Sequence, residues 1–79
     1  MSHDGTNKLV RMANQIAANF DYGEDKSKAV ASVLDHLVRF WTSEMKQSIV
    51  EERRRGEIGL NEIADAAVGA LAEKIGQPA

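Results

Sequence analysis

Apolar residues recur at three- and four-residue steps along four successive stretches of this chain. That periodicity constrains the fold more than any other feature, because only a helix gathers such positions onto one face. In the first stretch the stripe is Leu9, Met12, Ala13, Ile16, Ala17 and Phe20, with Thr6 or Asn7 placed to cap the helix start. Asp21-Tyr22-Gly23 then breaks the pattern, and Gly23 suits a helix exit. In the second, Val30, Val33, Leu34, Leu37, Val38 and Trp41 follow an opening near Asp25 to Ser27, with no proline or glycine between them.

The third stretch starts at Thr42-Ser43, where a hydroxyl can take the exposed amides of a new helix and Glu44 faces its positive end. This predicts a corner between two helices rather than one long helix. Met45, Ile49 and Val50 make a narrow apolar face, and Arg53-Arg54-Arg55 lies at the negative helix end before Gly56. In the fourth, Leu60, Ile63, Ala64, Ala67, Val68 and Leu71 form the stripe, and Gly76 and Pro78 stand beyond it.

The predicted architecture is all-α: a compact bundle of three to four short helices at about 6–20, 26–41, 43–55 and 60–75, in one domain spanning 1–79. A domain of this size buries only about 60% of the surface its unfolded chain exposes, so the core is thin. The fourth helix offers mostly alanine to its buried side. Small side chains supply little apolar volume, so that helix is expected either to approach its neighbours closely or to await an external surface, giving a partly shared core.

Composition excludes several kinds of function. The net charge is −2 and the pI about 5.6, which argues against a broad cationic surface for nucleic acid or anionic lipid. With no cysteine, disulfides, thiolate metal sites and iron–sulfur ligation are ruled out for this chain. Met1-Ser2-His3-Asp4-Gly5 lacks the basic and apolar regions of a secretory signal, and no apolar run approaches spanning length, so the expected location is cytoplasmic.

No catalytic or metal-ligating constellation emerges from the two histidines, the single tyrosine and the scattered carboxylates. His36 borders the second stripe, where a boundary histidine ordinarily bonds a backbone group or a carboxylate. Arg53-Arg54-Arg55 could hold phosphate, but Glu51 lies four residues before Arg55, which favours a solvated, self-paired helix end. The Thr42-Ser43 corner also permits a helix-turn-helix reading, against which stand the overall charge and the lack of base-reading side chains on the third helix.

Two features favour contact with a partner. Adjacent amides at Asn14 and Gln15 interrupt a helix where alanine, lysine or glutamate would serve a plain solvent face better, although ordinary exposure explains them equally well. Trp41 belongs to the second stripe and is expected in the core, whereas Phe40 lies off its centre, where an exposed aromatic would anchor an interface.

Met12-Ala13-Asn14-Gln15-Ile16-Ala17, followed by His36-Leu37, Phe40-Trp41 and Met45, resembles the delta subunit of NAD-dependent, molybdenum-containing formate dehydrogenases. The similarity runs from about Lys8 to Leu71 and takes in Gly59-Leu60 and the alanine-rich last helix. It departs at Ser43 and Glu44, where the family pattern has proline and arginine; serine can still cap the helix that proline would begin.

The resemblance implies a small non-catalytic accessory subunit that binds no cofactor itself. The molybdenum cofactor, iron–sulfur clusters, flavin and NAD are expected in the partner subunits of the enzyme that oxidises formate to carbon dioxide. Its expected partner is the catalytic subunit, which it would stabilise or help to mature through Arg11, Asn14, Gln15, His36, Arg39 and Phe40. Self-association of the isolated chain stays open, and the alternative is a free-standing helical DNA-binding or regulatory protein.

Overall fold

The computed structural model describes residues 3–21, 25–56 and 58–76, and side chains from Lys8 onward. The chain exit expected at Tyr22-Gly23 and the stop at Pro78 lie outside the described residues. Four helices follow one another: α1 (His3–Phe20), α2 (Lys26–Phe40), α3 (Ser43–Arg55) and α4 (Glu62–Lys74), with no strand among the described residues.

Local chemistry sets most of the helix ends. Asp25 caps α2 by accepting from the Ser27 amide at 2.9 Å. Trp41 leaves that helix in an extended conformation, its N–H still donating to the Leu37 carbonyl. One residue later Thr42 caps α3, its hydroxyl oxygen accepting from the Met45 amide at 3.1 Å, so the corner needs only two residues. The Lys46 ammonium reaches back across it and donates to the Val38 carbonyl at 3.2 Å, covering one of the carbonyls that the end of α2 leaves free. At the other junction Asn61 caps α4 through the Ala64 amide. The start of α1 differs from expectation: Thr6 and Asn7 lie inside the helix, which begins at His3, and do not cap it.

The core follows the stripes, with shifts of one position. Val10, Ala13 and Ala17 are buried on α1; Ala29, Val33 and Leu37 on α2, with Trp41 beside them; and Ile49 and Val50 on α3. Val38, expected on the second stripe, is 37% exposed, because the buried face of α2 is centred on Val33 and Leu37 and leaves position 38 on its flank.

The largest departure concerns α4. Ile63, Ala64, Ala67, Val68, Leu71 and Ala72 are all buried within the chain, so its alanines are not an open face and the partly shared core does not occur there. The helix lies along α2 and also packs against α1 and α3. Methyl-sized side chains allow this close approach to three neighbours, and α4 is the axis around which the others are arranged.

An ion pair reinforces the α3–α4 side. Arg53 donates through Nε to Asp65 Oδ1 at 2.9 Å and through Nη2 to Oδ2 at 3.4 Å, the two-point geometry that suits a guanidinium and a carboxylate. Gly69 lies beneath it: a Cβ there would stand 3.1 Å from Arg53 Nη2, so the missing side chain leaves room for the guanidinium.

Candidate partner-binding surface

The six residues singled out as partner contacts do not form one patch. Asn14 is engaged inside the chain. Its Nδ2 donates to the Gly59 carbonyl at 2.9 Å and its Oδ1 accepts from the Asn61 backbone amide at 2.8 Å, while the Asn61 side-chain amide donates to the Asn14 carbonyl at 3.4 Å. Asn61 therefore starts α4 with one end of its amide and holds α1 with the other. Gly59 has φ +92°, a conformation that favours glycine, and this turns its carbonyl toward Asn14. Asn14 is thus a strut between α1 and the loop that leads to α4.

His36 and Phe40 do come together, and with a residue the sequence reading assigned to the core. The His36 ring lies 4.8 Å from the Phe40 ring in a tilted arrangement and 6.4 Å from the Phe20 ring edge-on, both within the range of favourable aromatic pairing. Phe20 is half-buried against the core, His36 is half-buried, and Phe40 is 69% exposed. Aromatic rings thus line the way from the core boundary to solvent at the C-terminal end of α2. The carboxylate or backbone partner expected for His36 is absent among the described residues; the neighbouring Asp35 pairs instead with Arg39, at 3.1 Å. Both members of that pair are exposed, so it adds little to folding.

Arg11 and Gln15 are exposed on α1. They stand roughly opposite Phe20 around the helix axis, since Arg11 and Phe20 are separated by two and a half turns, about 180°. The exposed members of the expected set are therefore divided between the aromatic end of α2 and the far side of α1.

The remaining charges are largely engaged with one another. Arg54 pairs with Glu51 at 3.2 Å, and Arg55 with Glu52 at 3.6 Å and Glu51 at 3.8 Å, so the arginine run is the self-paired helix end expected of it. With Arg53 held by Asp65, α3 presents no array of free cations to a nucleic-acid backbone. Lys26 pairs with Glu62 between the starts of α2 and α4, and that hydrogen bond and charge raise the lysine pKa from its ordinary value.

No group of three or more His, Cys, Asp or Glu side chains that could hold a metal ion occurs among the described residues. A recess of about 540 Å³ beside the α3–α4 loop is lined by Arg53, Ile58, Leu60, Glu62 and Asp65 together with Gly56 and Gly59. Among the described residues it brings no hydroxyl, thiol or imidazole next to its charges. No described helix is long and apolar enough to cross a membrane.

Paired charges, an alanine-rich core and an exposed aromatic ring at the end of α2 belong to a small all-helical bundle. Residues 8–68, more than half of the chain, match the family of the NADH-dependent formate dehydrogenase delta subunit, FdsD, and the chain belongs to that family. It is an accessory subunit of formate dehydrogenase and not the catalytic one. No curated protein and no solved structure matches the chain.

Proposed function

We propose that this subunit docks onto the molybdenum-bearing catalytic subunit of a cytoplasmic formate dehydrogenase and stabilises it or assists its cofactor maturation. The molybdenum cofactor, iron–sulfur clusters, flavin and NAD would then reside in the larger subunits. The observation that carries the reading is Phe40: it is 69% exposed, lies against His36, and is far more open than Val38, the other exposed large apolar side chain among the described residues, at 37%. An aromatic ring already oriented by its neighbours gives up little freedom on binding and supplies the kind of anchor that dominates interface energetics.

Within this reading Phe40 and His36, backed by Phe20, form the apolar centre of the contact. Arg39 supplies a charge at its rim, released from Asp35 or shared with it. Asn14 acts indirectly by holding α1 and α4 together, and Arg11 and Gln15 belong to a different surface.

The test is affinity purification of the tagged chain from its own cell, with identification of bound subunits and formate-dependent NAD reduction measured on the eluate. Wild type should retain a large subunit and the activity. Phe40→Ala should weaken retention by about 2 kcal/mol, roughly thirtyfold in Kd, with unchanged helical circular dichroism. Equal retention by wild type and variant would exclude this surface.

A further inference from the structure

The chain has five arginines. Four of them are engaged with carboxylates: Arg39 with Asp35, Arg53 with Asp65, Arg54 with Glu51, and Arg55 with Glu51 and Glu52. Arg11 is the exception, exposed and with no ion pair or hydrogen bond among the described residues. Lys8, one turn before it, is likewise exposed and without a partner among the described residues. From Lys8 to Phe20 these two are the sole charged residues of α1. Gln15 follows Arg11 at the i,i+4 spacing and continues the same exposed face.

We propose that this outer face of α1 (Lys8, Arg11 and Gln15) is a second docking surface, one that binds carboxylates on an acidic protein surface of the enzyme's larger subunits. The inference rests on the accessory-subunit reading above and adds to it the chemistry of a separate contact. A guanidinium presents two parallel donors that match a carboxylate, and an uncompensated one on a helix face is free to do so without first breaking an internal pair. Gln15 both donates and accepts, which suits a peptide or side-chain amide beside that carboxylate.

Phosphate polymers fit less well, because two cations are few for a polyanion and the chain's net charge of −2 opposes one. The aromatic end of α2 and the cationic side of α1 differ in what they offer. The first supplies apolar contact, and the second steers the approach and fixes orientation through charge.

The experiment uses the full chain co-expressed with the other subunits of its formate dehydrogenase, captured by a tag at several salt concentrations. Wild type, Arg11→Glu, Gln15→Ala and Phe40→Ala are compared, with circular dichroism on each. Arg11→Glu is expected to lower retention of the larger subunits about tenfold at low salt and to flatten its salt dependence, with helical content unchanged. Gln15→Ala should lower retention by a smaller factor, and a Glu→Lys or Asp→Lys change on the larger subunit should restore binding to Arg11→Glu.

Retention unchanged by Arg11→Glu but lost in Phe40→Ala would overturn this inference and leave the docking reading intact. Failure of the wild type to retain any larger subunit would overturn both. Retention that nuclease removes would overturn the commitment to protein carboxylates.

Discussion

Replacing Asn14 with alanine should destabilise the fold and not merely alter a surface. The side chain makes two good hydrogen bonds, at 2.9 Å to the Gly59 carbonyl and at 2.8 Å from the Asn61 amide. Each is worth about 1 kcal/mol net, and the lower part of the range applies because water can reach the groups left behind. The expected loss is thus about 1 to 2 kcal/mol, which in a domain of this size lowers Tm by about 4 to 16 °C. Thermal unfolding followed by far-ultraviolet circular dichroism reads this directly.

Asn14→Asp provides the control. A carboxylate keeps an acceptor for the Asn61 amide near the positive end of α4 but loses the donor to Gly59, so its Tm should fall between the other two. A Tm for Asn14→Ala equal to wild type, together with weakened capture of the catalytic subunit, would refute the strut and return Asn14 to the partner surface.

Leu37 is fully buried, so Leu37→Ala should cost about 2 to 5 kcal/mol and leave the chain largely unfolded at 37 °C, as measured by urea titration. Gly69→Ala removes a flexible residue from α4 at the cost of nudging the end of the Arg53 side chain; alanine is favoured there by about 1 kcal/mol and an exposed pair is worth less, so Tm should hold or rise. A fall of several degrees would mean that the Arg53–Asp65 contact contributes more than its exposure suggests. The Lys26–Glu62 pair raises the lysine pKa, so its contribution is present at neutral pH and is lost as pH climbs through the raised value. Lys26→Met should erase that small alkaline step in Tm, and a step that persists in the variant would assign it to another group.

The helices were legible because each writes its own period into the chain: Val33 and Leu37, or Ile63, Ala67 and Leu71, are neighbours within one element. Thr42 and Gly56 could be read for the same reason, since a cap acts within a few residues. Asn14 could not. Its partners Gly59 and Asn61 are 45 and 47 residues away, and nothing local distinguishes an amide that solvates a helix from one that braces a distant loop. Periodicity also fixes a face only to within a flank, which is why Val10 and Ala29 are buried and Val38 is not. The exposure of Phe40 could be read because it sits off the stripe, whereas its association with Phe20 through His36 depends on how α1 and α2 pack and has no signature in either helix alone.

The alanine face of α4 gives the molecule an asymmetric tolerance to change. Most buried positions fail by losing atoms, since truncation leaves a void; Ala64, Ala67 and Ala72 have almost nothing to lose, and a methyl already fills each site. They fail in the opposite direction, because an added methylene in a packed site must displace its neighbours. Burying these methyls also froze no rotamers, so the centre of the bundle was assembled without the side-chain entropy cost that leucines would have carried. A thin core is in this way made firm by proximity rather than by bulk, and sequence drift along that face is confined to residues no larger than those already present.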